Sequence, residues 1–88
     1  MRWYLTAAAT KQFQGLTGLS FEQAEHDLAD LCDEARLLHE AGKRSDRAAV
    51  YRVKAHLRDG KRHQLDLYVS EEPRPEGPSA QLVRIRAK

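Results

Sequence analysis

Between residues 49 and 69 the chain alternates with a period of two. Ala49, Tyr51, Val53, Ala55 and Leu57, then Leu65, Leu67 and Val69, take the odd positions, while the even positions are mostly charged or polar. Such alternation predicts two β-strands with one face in the core and the other displayed to solvent. The displayed set is Arg52, Lys54, His56 and Arg58 on the first run and Gln64, Asp66 and Tyr68 on the second. Arg58-Asp59-Gly60-Lys61 joins the runs. A two-residue Asp-Gly loop would pair Leu57 with Arg62 and Lys54 with Leu65, mixing apolar and charged side chains on one face. A three-residue loop, Arg58-Asp59-Gly60 with Gly60 left-handed as a G1 bulge, keeps parity. It predicts the pairs Val53 with Leu65, Tyr51 with Leu67, Arg52 with Asp66 and Val50 with Tyr68.

The flanking segments supply the other layer. Arg2 to Leu5 has the aromatic and aliphatic residues of a short strand. Thr6 is placed to cap a first helix, on which Ala9, Phe13 and Leu16 form one apolar stripe and which Gly15 and Gly18 bring to an end. Ser20 and Gln23 have capping-box spacing and open a second helix. Its stripe is Phe21, Ala24, Leu28, Leu31, Cys32, Ala35 and Leu38, with His39 in the last turn and Gly42 at the C-terminus. Residues 43–48 read as a polar connection. Residues 70–79 hold all three prolines and read as an exposed loop. Gln81 to Arg86 is a final strand, with Val83 and Ile85 inward and Arg84 and Arg86 outward.

The expected fold is α+β in the order β-α-α-β-β-β, a single domain over 1–88. Two helices pack on one face of a mainly antiparallel sheet, and the first strand lies beside the last. The expected core is Tyr4, Phe13, Leu16, Phe21, Leu28, Leu31, Leu38, Val53, Leu65, Leu67, Val83 and Ile85.

Charge sharpens this picture. The net charge of the 88 residues is +2, yet residues 1–42 hold three Lys/Arg against seven Asp/Glu, giving −4, and residues 43–88 hold twelve against six, giving +6. A basic half carried on strands points to a polyanion or an acidic partner. The single cysteine, Cys32, forms no internal disulfide and reads as a buried thiol, which suits a reducing, cytoplasmic setting. The N-terminus does not have the pattern of a signal peptide, and no run has the ~18 apolar residues of a membrane span. His26 and Asp30 stand one helical turn apart but lack a third ligand, so they read as a solvated polar face with no metal. No cofactor motif is present.

The displayed face is where chemistry is expected. Arg52, Lys54, His56, Tyr68, Arg84 and Arg86 come from three strands and, with Arg58, gather cations, a titratable ring and an aromatic. That set suits phosphodiester chemistry. Arginine and lysine bind phosphate and stabilise developing charge, histidine transfers protons near neutral pH, and tyrosine stacks on a base. The same face also suits a non-enzymatic module that binds a protein partner, such as a phage or mobile-element inhibitor, or a surface that simply stays wet.

The order of elements resembles the RelE/ParE superfamily of small bacterial toxins over nearly the whole chain. Gly18-Leu19-Ser20-Phe21-Glu22-Gln23-Ala24 is similar to a Gly-Val-Ser-Phe-Glu-Glu-Ala stretch of the BrnT-like branch. Tyr51-Arg52-Val53 and Leu82-Val83-Arg84-Ile85-Arg86 are similar to its second and last strands. The resemblance implies a toxin of a toxin-antitoxin pair, a metal-independent endoribonuclease acting on messenger RNA, often at the ribosome, and held inactive by an antitoxin. It implies catalytic roles for the positions that match in strand and face, His56, Arg52, Lys54 and Arg84, while the displayed face itself adds Arg58, Tyr68 and Arg86 as expected RNA contacts. The chain departs from the pattern in its Pro-rich connection and in Arg86-Ala87-Lys88, which lacks a terminal His or Tyr.

Overall fold

A computed structural model describes residues 2–40 and 48–87, and within them all side chains except those of 37–40, 48, 72–74 and 78. The elements are β1 (Arg2–Leu5), α1 (Ala7–Thr17), α2 (Phe21–Glu34), β2 (Arg36–Glu40), β3 (Ala48–His56), β4 (Arg62–Arg74) and β5 (Gly77–Ala87). They form an α+β fold in which the sheet order is β1-β5-β4-β3-β2. β1 runs parallel to β5, with Leu5 opposite Leu82, and the other neighbours are antiparallel.

The central hairpin has the register that parity requires. Val53 pairs with Leu65, Arg52 with Asp66 and Val50 with Tyr68. Gly60 has φ 77°, the left-handed conformation that closes the three-residue loop. The Leu57 N–H donates to the Lys61 carbonyl at 3.1 Å. Within the loop, Asp59 accepts from the Lys61 N–H at 2.9 Å and contacts His63 at 2.7 Å. The Lys61 backbone bond, and then the His63 contact, hold the Asp59 carboxyl below its ordinary range. A depressed carboxyl stabilises the fold above its unfolded pKa, about 3.9, and that contribution disappears as pH falls through the folded value. Asp59→Asn keeps an acceptor for Lys61 but no charge. Its melting temperature is expected to lie below that of the wild type at about pH 6, and the difference is expected to shrink as pH falls through the folded value of Asp59.

Local capping sets the helix starts. The Thr6 side chain accepts from the Ala9 N–H at 3.1 Å and donates to the Leu82 carbonyl at 2.9 Å, tying α1 to β5. Ser20 accepts from the Gln23 N–H at 3.2 Å, while the Gln23 side chain turns instead to Asp27, at 2.7 Å. α1 runs through Gly15 and ends on Gly18, whose φ of 77° makes the C-cap.

The helices cover one face of the sheet. Ala9, Phe13, Leu28 and Cys32 pack over Tyr51, Val53, Leu65, Leu67, Leu82 and Ile85. Leu16 and Leu31 are partly buried at the margin, and Tyr4 is half-buried. Trp3, paired with the small Ala80, reaches across to Tyr51 in an edge-to-face contact of 5.0 Å. Burial, and then the adjacent Asp33, push the Cys32 thiol up to about 12. Cys32 is therefore expected to resist thiol reagents at about pH 8 in the native protein and to react on denaturation, as a mass-shift assay would show.

Five expectations are corrected. α2 stops at Glu34, where Ala35 is an extended cap, so Leu38 and His39 belong to strand β2 rather than to the helix. Nothing in 35–40 breaks a helix; β2 pairs with β3, with Arg36 opposite Arg52, and gains backbone partners that a continued helix would not offer β3. Gly42 and the connection over 43–48 lie outside the described residues apart from Ala48, which begins β3. The Pro-rich stretch is the end of a long hairpin, turning at Pro75 and Glu76. Pro73 pairs with Pro78 one step from that two-residue turn, a position whose N–H groups face out of the pair, so the ladder loses no bond there. The pairing slips between Tyr68, opposite Arg84, and Val69, opposite Leu82, leaving Val83 as an extra residue. This bulge puts Leu82 and Ile85 inward and leaves Val83 48% exposed, so Val83 is not core. Phe21, the first residue of α2, is likewise exposed.

Candidate nucleic-acid interface

The face of the sheet opposite the helices carries the even positions of β3 and β4. One row across it reads Arg36, Arg52, Asp66, Arg86, from strands β2, β3, β4 and β5. Toward the Gly60 loop follow Lys54 opposite Gln64 and His56 opposite Arg62. In the other direction Tyr68 lies between Val50 and Arg84. Asp66 is the carboxylate in the middle of this row, and it is 4% exposed beneath its neighbours.

Arg52 is held in place. Its Nε lies 3.2 Å from Asp66 Oδ1, and the Gln64 amide, turned with its oxygen to the guanidinium, accepts from Nε at 2.6 Å and from Nη1 at 2.9 Å. Such a clamped, charge-assisted pair positions a guanidinium but leaves it fewer donors for a ligand. Beside it a hollow of about 540 Å³ opens, lined by Arg36, Arg52, Lys54, Arg62, Gln64 and Glu34. Four cations against one carboxylate make it a place for an anion. Lys54, His56 and Arg62 also border a second cleft, of about 590 Å³, between β3 and α2.

The sequence-derived candidates separate into three groups. Lys54, His56 and Arg52 lie along β3, the first two exposed. Arg84 and Tyr68 lie elsewhere: the Arg84 guanidinium sits 4.4 Å above the Tyr68 ring, so one side of that ring is already taken. Arg84 is opposite Tyr68, and so level with Val50. Six residues of strand and two strand spacings then put it on the order of 20 Å from His56. Arg84 and His56 therefore cannot act on the same phosphate. Arg86, exposed in the Asp66 row, stands between the two groups. Arg58 leaves the face altogether. Its N–H donates to the Leu16 carbonyl at 2.9 Å, and its side chain lies against Gly18 at the C-terminal end of α1. A cation there complements the helix dipole.

Two contributors were missed. Arg62 sits opposite His56 in the register that the loop alone predicts, so the signal was present in the sequence. Arg36 had no such signal, because a helix continued through it would have faced it away from the sheet. On α2 the exposed His26 lies 3.8 Å from Asp30 and 3.7 Å from Asp27, an ordinary surface contact. Among the described residues no group of three metal-ligating side chains occurs.

No protein-family model, curated protein or solved structure matches this chain. No helix among the described residues is long and apolar enough to cross a membrane.

Proposed function

We propose that this protein binds RNA through the outer face of its sheet and cleaves it without a metal ion, acting in the cytoplasm as the toxin of a toxin-antitoxin pair. The observation that carries the reading is the hollow in which Arg36, Arg52, Lys54 and Arg62 converge, with His56 opposite Arg62 and bordering the neighbouring cleft that Lys54 and Arg62 also line. Cations so placed bind a backbone phosphate and offset the charge that grows on its oxygens in the transition state. In the step proposed, His56 takes the proton of a ribose 2′-hydroxyl as the 2′-oxygen forms a bond to phosphorus. The bond from phosphorus to the 5′-oxygen breaks, and that oxygen is protonated by the imidazolium or by water. The products are a 2′,3′-cyclic phosphate and a free 5′-hydroxyl. Arg86, with Arg84 and Tyr68 farther along, lengthens the track for the strand, and ribosome-bound messenger RNA is a substrate consistent with the resemblance. An acidic antitoxin would mask the same face.

The test uses labelled single-stranded RNA and the purified full chain. Cleavage is expected to persist in EDTA and to leave a cyclic phosphate. His56→Ala should lose at least about tenfold in cleavage rate while binding within roughly threefold of the wild type. Absence of both binding and cleavage, on free and on ribosome-bound RNA, removes the proposal. Binding with no cleavage under any condition reduces it to an RNA-binding protein.

A further inference from the structure

Beyond Arg52 the outer edge of β3 has no neighbouring strand, because β2 begins at Arg36, opposite Arg52, and Ala35 leads back into α2. The hydrogen bond from Leu57 N–H to the Lys61 carbonyl, 3.1 Å, fixes which way the backbone faces. Odd residues of β3 are bonded to β4, so the N–H and C=O groups of Lys54 and His56 point away from the sheet. Among the described residues no backbone group pairs with them. The edge of β5 is treated differently. Past the last β1 pair, at Leu82, the Ile85 N–H is taken at 2.8 Å by the Gln12 side chain of α1. A strand edge left uncovered is a template for another strand.

The ground on either side of that edge specifies what the strand would carry. On the helix side lies the cleft of about 590 Å³, with Phe13, Leu19, Leu31, Ala55 and Leu57 as its apolar lining and Asp27, Asp30 and Glu34 of α2 bordering it as well. On the other side lies the hollow with Arg36, Arg52, Lys54 and Arg62. Successive side chains of an added strand point to opposite sides, so one set meets the apolar lining of the cleft, where the α2 carboxylates disfavour acidic side chains, and the other meets cations. A second copy of this chain fits poorly. Pairing two β3 edges would set Lys54, His56 and Arg62 against the same cations.

We propose that the open edge of β3 at Lys54 and His56 receives an extended segment of a partner protein by strand addition, about four or five residues in which acidic and apolar side chains alternate. The backbone bonds of Lys54 and His56 supply affinity, the cleft takes the apolar set, and Lys54 and Arg62 take the carboxylates. The segment covers Lys54 and His56 and so competes with any ligand of the hollow, but the strand addition does not depend on that ligand being RNA.

The test titrates the full-length protein with a labelled, capped hexapeptide of alternating valine and glutamate, read by fluorescence polarisation. The expected Kd is on the order of 10–100 μM. A peptide of the same composition with its valines and glutamates in blocks should bind at least tenfold more weakly. N-methylation of one alternate set of peptide nitrogens should abolish binding, and methylation of the other set should leave it within about threefold, because only one set faces the edge. Amide exchange at Lys54 and His56 should slow when the peptide is added. Equal binding of the two peptides, or the same effect from both methylation patterns, would mean charge attraction alone and overturn the proposal. So would a dimer in sedimentation with those two amides protected before any peptide is added, since a second copy then fills the edge. RNA binding by the peptide-free protein, measured in parallel, succeeds or fails independently.

Discussion

Leu28→Ala is expected to lower stability by about 2–5 kcal/mol, read as a fall in melting temperature of roughly 10–30 °C for a domain of this size. Leu28 is fully buried at the centre of α2, in one cluster with Phe13, Leu65, Leu67 and Leu82. Truncation removes its transfer free energy and leaves a cavity between helix and sheet that neither rigid layer can close. Leu31, on the same stripe, is only partly buried and borders the cleft beside β3. Leu31→Ala is therefore expected to cost less than Leu28→Ala, although periodicity alone treats the two residues alike. Thermal unfolding followed by circular dichroism compares them. If Leu28→Ala melts within a few degrees of the wild type, α2 does not form the second layer of the core.

The second large effect concerns RNA affinity. The double variant Lys54→Ala/Arg62→Ala is expected to bind single-stranded RNA roughly 10–50-fold more weakly near physiological salt, and to reduce the salt slope by about 1.4. Each cation withdrawn from a phosphate releases one counterion fewer, and two such losses multiply. Arg84→Ala/Arg86→Ala is expected to weaken binding as well but to leave the cleavage rate of bound RNA unchanged, because Arg84 is some 20 Å from His56 by strand geometry. Equal loss of cleavage from both pairs would contradict the division of the face. Arg52→Ala is a poor probe of binding, since its guanidinium is 3.2 Å from the buried Asp66 carboxylate. Taking it away from that group is expected to cost about 1–3 kcal/mol in stability, so its melting curve should be measured before its affinity.

Local chemistry determined a large part of this protein. Parity along 49–69, together with a glycine where a left-handed residue is needed, selected one register out of two, and Val53 opposite Leu65 is the result. Thr6 and Ser20 mark helix starts because a cap is a bond to an N–H two or three residues away. The cationic character of the outer face followed from the same parity, and so did the place of Lys54 and His56 on it.

What tertiary structure decided involves partners distant in sequence. The chain from Arg36 to Glu40 has residues that suit a helix, and it is a strand because Ala49 to Arg52 offer backbone groups to pair with. That exchange brought Arg36 beside Arg52 and made the anion hollow. The single unpaired residue at Val83 shifted the inward set of β5 on its N-terminal side, turning Leu82 inward in place of Val83 while Ile85 kept its place, which only the pairing of two strands can reveal. Arg84 shares a face with His56 yet not a site, since period-two patterning says which side a residue is on and nothing of how far along the sheet it lies. Arg58 was drawn to the end of α1 by the hydrogen bond from its N–H to the Leu16 carbonyl, across an interval of sequence that holds α2, β2 and β3. The open edge at Lys54 and His56 exists because β2 is shorter than β3, and strand length is set by where α2 must end to cover the core.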